Sequence, residues 1–217
     1  MPVTTFHNYI DTYPIRENST KLIIGTIHPH LVENFNTDFF YGNVGSFWDI
    51  LSNAFPQRLF GNLEEIIATL ENYNVSITDI IRQCDRENEN VTADSELYNI
   101  VPNGLQIQNG IRNSQIDTIY FTSRFGANNA ARLFVNTFNI QHNLDQLTSE
   151  FIIPPNHFGR QIRCVVLYSP SNNANRGIAR STPYLNNLAH FQQFDHPIKQ
   201  FKIEFYQDKF NFFNNEN

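Results

Sequence analysis

A short segment early in the chain, Gly25-Thr26-Ile27-His28-Pro29-His30, gathers groups that can do chemistry at neutral pH. Imidazole titrates near neutrality, so His28 can orient or activate a water. Gly25 permits a tight turn or a close backbone approach to a ligand, and Pro29 stiffens the loop. His28 and His30, one residue apart, can also share a metal ion. The plainer reading leaves both as exposed loop residues. A second segment, Phe39-Phe40-Tyr41-Gly42, sets aromatic rings beside a glycine. In a loop near a cleft, Phe40 and Tyr41 can stack on a flat base, although packing is the simpler role. Asp38, just before them, is the nearest acid. A third segment runs Tyr168-Ser169-Pro170-Ser171-Asn172-Asn173-Ala174-Asn175-Arg176. Its hydroxyls, amides and terminal guanidinium suit contacts to a phosphate backbone.

These segments follow apolar runs that read as strands. The runs are Lys21–Thr26, Asp117–Thr122 and Ile162–Tyr168, with a shorter one at Val75–Ile77. Near-continuous apolar character suits parallel strands covered on both faces. Helical spacing lies between them, over Ser46–Phe55, Asn62–Asn72, Asn128–Phe138, Thr182–Phe194 and His196–Phe213. Asn62 reads as a helix cap, and Pro183 as a first helical residue. In the last helix the apolar stripe is Ile198, Phe201, Ile203, Phe205 and Phe210. Asp85–Asp94 is acidic and reads as an exposed loop. Strands separated by helices predict an α/β fold, a three-layer α/β/α sandwich with a short, mainly parallel sheet. Ligands of such sheets bind beyond the carboxyl ends of the strands, where all three segments fall, along with Thr122 and Ser123.

Composition bounds the function. The chain has 217 residues, 41% hydrophobic and 17% charged, which predicts a single globular domain over residues 1–217. No apolar run approaches the ~20 residues of a membrane helix, and no basic start precedes an apolar stretch. Cys84 and Cys164 alone make neither a disulfide framework nor a zinc site, so a cytoplasmic setting is expected. A net charge of −6 argues against polyanion binding by the whole surface. Yet Arg160, Arg163, Arg176 and Arg180 stand in one stretch without an acid, as phosphate contacts or merely as solvated arginines. Asn occurs 30 times, so an Asn in a candidate site carries little weight.

Taken in order, KLIIGT with HPH, FFYGNVGSFWDIL, VSITDIIRQCDR, IDTIYFTS and VVLYSPSNNANR resemble the motif series of the uracil-DNA glycosylase superfamily. The nearest branches are the mismatch-specific uracil/thymine and DNA-deoxyinosine glycosylases. The resemblance runs from about Lys21 to Arg176, and its most specific piece ends in Phe47-Trp48. It implies a DNA partner, a flipped base and hydrolysis of the N-glycosidic bond, which leaves an abasic site without metal or organic cofactor. By that resemblance His28 takes the place of the polar residue before the loop proline, and Asp38 ranks below it as a replacement carboxylate. Thr26, Ile27, Phe40, Tyr41 and Ser123 would surround the base. Ser169, Ser171, Asn172, Asn173, Asn175 and Arg176 would hold the DNA backbone. Gly45 stands where relatives carry Asn, and Tyr168 where some carry a catalytic His, so a divergent pocket is expected. Two other readings remain: a catalytically silent nucleic-acid-binding relative, and a metal-dependent hydrolase using His28 and His30. The sequence implies neither a membrane nor an obligate protein partner, and leaves repair and defence against foreign DNA both open.

Overall fold

The computed structural model describes residues 1–43, 45–142 and 149–215. Among these, the strands in chain order are β1 (Val3–Phe6), β2 (Lys21–Gly25), β3 (Val75–Asp79), β4 (Ile81–Arg86), β5 (Tyr98–Pro102), β6 (Thr118–Phe121), β7 (Glu150–Ile153) and β8 (Ile162–Val166). The helices are α1 (Phe47–Ala54), α2 (Leu63–Asn72), α3 (Gly104–Asn113), α4 (Ala130–Thr137), α5 (Pro155–Phe158), α6 (Asn175–Ile178), α7 (Thr182–Asn186), α8 (Leu188–Phe191) and α9 (Pro197–Lys209). The chain forms two compact units. One combines Met1–Asn34 with Asn74–Leu167, the other Phe35–Tyr73 with the chain from Tyr168 onward.

The first unit holds a five-stranded sheet in the order β3-β2-β6-β8-β7. Its first four strands are parallel, and β7 runs antiparallel along one edge. Side chains alternate between faces. Leu22, Ile24, Ile119, Phe121, Cys164 and Val166 share one core with Ile107 and Ile111 of α3, Phe134 and Val135 of α4 and Phe158 of α5. Ile23, Tyr120 and Val165 on the opposite face are also buried. A mostly parallel sheet buried on both faces is the middle layer of an α/β/α arrangement, so the expected fold class holds. Cys84 and Cys164 are buried free thiols, and burial pushes both pKa values up.

Three of the expected strands are present with trimmed ends, because each run continues into a loop, and the run at Val75–Ile77 extends to Asp79. The expected exposed loop over Asp85–Asp94 holds at Glu87–Asn90 and is corrected at its start. Asp85 and Arg86 end β4, and Arg86 is fully buried. β4 is the middle strand of a second, antiparallel sheet in the order β1-β4-β5. β3 and β4 are separated by Ile80 alone, so one stretch of chain serves both sheets. The β4–β5 pairing is irregular, with register shifts, and Asn99 has a φ of 48°.

The second unit is helical. Asn62 caps α2, its side chain accepting from the Glu65 N–H, as its position predicts. The expected helix over Thr182–Phe194 is broken at Asn187 into α7 and α8. The expected stripe on the last helix holds in part. Phe201 and Phe210 are buried and Ile198 and Phe205 pack half-buried against a core, as the spacing predicts, but Ile203 is only half-buried and Lys202 and Tyr206 are buried instead. Lys202 takes a core position because its ammonium donates to Pro170 O at 3.0 Å and Ser171 O at 2.9 Å. Burial pulls its pKa down to about 8.

Phe121 makes a sensitive test of the first core. It is fully buried, 5.1 Å from the Phe134 ring and stacked at 6.2 Å on Phe151. Phe121→Ala should cost about 3–5 kcal/mol in urea unfolding. Leu105, 75% exposed, is the control: Leu105→Ala should stay within about 0.5 kcal/mol of the parent.

Candidate active site

In the five-stranded sheet the chain moves from β2 to β3 on one side and reaches β6 and β8 on the other. The order therefore reverses between β2 and β6, and the carboxyl ends of those two strands form a topological switch point. The segments after them are Thr26–His30 and Thr122–Asn129. Two of the three expected loops thus leave adjacent strand ends. The third begins beyond β8, whose chain continues through Leu167, its N–H donating to Phe121 O at 2.7 Å.

A buried cation fixes the first loop. Arg86 donates from Nε to Thr5 Oγ1 at 3.0 Å, from one terminal nitrogen to Val91 O at 2.7 Å and from the other to His28 O at 2.9 Å. Thr5 Oγ1 lies 3.1 Å from His30 Nδ1. That hydroxyl accepts from Arg86 and so links the guanidinium to the imidazole. His30 is therefore an end point of this chain of hydrogen bonds.

His28 is 7% exposed. Its Nε2 accepts the Asn8 N–H at 3.0 Å, so Nδ1 carries the proton and donates to Pro29 O at 2.6 Å. Both ring nitrogens are engaged by backbone, and burial holds the pKa below the usual imidazole range. In this arrangement His28 is a neutral brace between the first loop and the N-terminal segment, with no lone pair left for a water or a metal. His7 lies beside it, ring centroids 4.9 Å apart, and bonds Asp79 Oδ2 at 2.8 Å. Because His7 Nδ1 accepts from the Tyr9 N–H, Nε2 is the donor to Asp79. The other Asp79 oxygen is buried without a partner.

The remaining first-unit candidates divide. Ile27 belongs to the core around β2, so its side chain is packing. Ser123 is buried, and its hydroxyl accepts the Ala130 N–H at 2.7 Å, capping α4 alongside Asn129. Thr26 donates from Oγ1 to Asp94 Oδ1 at 3.1 Å. Asp94 opens a short 3-10 turn, Asp94–Glu96, and was not among the acids the sequence singled out. The Asn128 side chain donates to Asp94 O at 2.8 Å and Leu97 O at 3.0 Å, tying this turn to the segment after β6. Asp94 is thus held by both loops of the switch point. Burial raises its pKa to about 7, helped by the Asp79 charge and opposed by Thr26 and Arg86. One acid among 21 in a polar stretch gives no sequence signal.

Within the second unit, Phe40 is 1% exposed, its ring edge-on to Phe39 at 5.1 Å and its carbonyl accepting from Trp48 Nε1 at 2.7 Å. It presents no open face for stacking in this conformation. Tyr41 is half-buried at a φ of 56°. Gly42 is obligatory, since an added Cβ would lie 1.8 Å from Thr37 O. Asp38 is exposed. The Ser169 hydroxyl accepts from Ser171 N–H and the Ser171 hydroxyl from Asn173 N–H, both at 3.2 Å, so both serve their own loop. Tyr206 and Lys202 of α9 clamp the carbonyls of Tyr168, Pro170 and Ser171. Asn175 is half-buried, whereas Asn172, Asn173 and Arg176 are exposed.

The basic stretch is not one strip. Arg160 donates to the carbonyls of Ile111, Ser114 and Ile116, and Arg163 pairs with Glu150 at 2.8 Å. Arg176 and Arg180 remain exposed, in the other unit.

His28 and Asp94 give stability opposite dependences on pH. The lowered His28 pKa contributes stability that is full above the ordinary imidazole value and is lost as pH falls through the folded pKa. The raised Asp94 pKa contributes stability that is full below 3.8 and is lost as pH rises through about 7. Asp94→Asn should therefore raise the melting temperature at pH 8 and flatten its decline between about pH 4 and pH 7. His28→Ala, which orphans two backbone groups, should lose about 1–3 kcal/mol at pH 7.5 in urea titrations.

Neither protein-family models nor curated proteins give a match to this chain.

Proposed function

We propose that the protein is a monofunctional DNA glycosylase that takes a damaged, mismatched or modified base out of the stack and hydrolyses its N-glycosidic bond. The observation that carries this reading is the switch point between β2 and β6. There the two loops of the motif series meet around a tethered carboxyl group, Asp94. Breaking an N-glycosidic bond separates charge, leaving an oxocarbenium-like sugar and an electron-rich base. A hydrogen-bonded carboxyl, largely withdrawn from water beside the carboxyl ends of the strands, suits that demand better than an exposed acid such as Asp38. Asn172, Asn173 and Arg176, exposed on a loop clamped from below, suit the phosphate backbone.

A catalytically silent nucleic-acid-binding relative is the second reading, favoured by the engaged nitrogens of His28 and the sealed ring of Phe40. The metal-hydrolase reading loses its ligand in His28. Among the described residues, no three His, Cys, Asp or Glu side chains converge to hold a metal either.

An abasic-site assay separates the readings. The protein is incubated in EDTA with labelled single- and double-stranded oligonucleotides carrying uracil, hypoxanthine, xanthine, thymine mismatches or modified cytosines, then treated with hot alkali. Cleavage at one base is the expected outcome. Binding without cleavage at any base would leave the silent relative. Arg176→Ala should weaken DNA binding for every sequence and reduce the salt slope by about one counterion.

A further inference from the structure

We propose that Asp94 is the proton donor to the departing base, and hence that the site serves bases that leave better when protonated, the purine type, over those that leave as anions. This rests on the glycosylase reading. Three observations point to it. Asp94 sits at the switch point, held through Thr26 by the loop after β2 and through Asn128 by the segment after β6. Thr26 donates to Oδ1, so a proton on the carboxyl group resides on Oδ2. That oxygen takes no hydrogen bond from any described residue, and Asp94 is half-buried rather than sealed.

Burial above all raises the pKa of this carboxyl group to about 7, so that a large fraction keeps its proton at neutrality. Asp79 of β3 repels its charge, Arg86 of β4 offsets part of that, and Cys84 of β4 lies within electrostatic reach. The loop after β2 adds the hydroxyl of Thr26 and the neutral His28, itself coupled to His7, Asp79 and Arg86. The segment after β6 adds the uncharged amide of Asn128. A carboxylic acid kept neutral by its site is the donor partner in glycoside hydrolysis.

The step balances. As the bond from C1′ to the base nitrogen breaks, its electron pair goes to the base, and the Oδ2 proton moves to a ring nitrogen. This leaves a neutral base, a carboxylate and a cationic sugar. Water adds to C1′, and its released proton returns to Asp94. The net change is addition of water across the glycosidic bond.

Single-turnover cleavage is measured from pH 5.5 to 8.5 on matched oligonucleotides carrying hypoxanthine or uracil, for the parent, Asp94→Asn, Asp94→Glu and Thr26→Val. The parent should cleave the hypoxanthine strand faster, with a rate that falls about tenfold per pH unit above about 7. Asp94→Asn should lose about 100-fold or more and its pH dependence, with DNA affinity kept. Asp94→Glu should recover part of the rate. Thr26→Val removes a hydrogen bond that lowers the Asp94 pKa, so whatever activity it retains should have its alkaline limb moved to higher pH. A purely structural Asp94 would not shift that limb, which keeps the test informative even if Asp94→Asn misfolds. Asp94→Asn within threefold of the parent, a rate rising with pH, an unmoved limb in Thr26→Val, or a preference for uracil overturns the inference and leaves the glycosylase reading standing. A parent silent on every base in the panel overturns both.

Discussion

The guanidinium of Arg86 is the contact on which the strand-end loops of the first unit depend. It is a fully buried cation whose hydrogen bonds go to a hydroxyl and two carbonyls. Those acceptors belong to β1, the chain beyond β4 and the loop after β2, three segments distant in sequence. Removing it would strand three acceptors at once, two of them buried, a far larger penalty than losing one surface pair. With Arg86 in place the His28 carbonyl is fixed, and with it the path of the loop that presents Thr26 to Asp94. A buried charge is a costly way to fix a loop, but it fixes direction as well as distance.

The parallel strands were legible because each is an unbroken apolar run that both faces of a sheet demand, as in Lys21–Gly25 and Ile162–Val166. Helix α2 was legible from its Asn62 cap and first-turn acids. The three-stranded sheet was not. β5 is mostly exposed and shows no alternation, and β4 ends in an arginine whose burial depends on acceptors remote in sequence. Lys202 defeats periodicity in the same way, since its ammonium is satisfied by carbonyls about 30 residues earlier in the chain.

The candidate site was legible as a place more than as a set of residues. Strand-end loops follow from the fold class, and both first-unit loops are where that rule puts them. Which side chains are available there depends on hydrogen bonds between segments far apart in sequence. His28 has the right chemistry by type, yet Asn8 and Pro29 occupy both its nitrogens. Asp94 is ordinary by type and becomes distinctive only once Thr26 and Asn128 hold it in a desolvated position.

The irregularity of β5 has a consequence for solubility. It is an outer strand of its sheet, with Tyr98 and Val101 exposed, and a flat strand of that kind would recruit another chain by edge pairing. Register shifts against β4, a left-handed Asn99 and a closing Pro102 without an N–H interrupt the ladder a newcomer would need. At the β7 edge of the larger sheet, Glu150 and its ion pair with Arg163 place charge where an incoming strand would lie. These two edges thus carry built-in resistance to aggregation, from backbone irregularity in one sheet and from charge in the other.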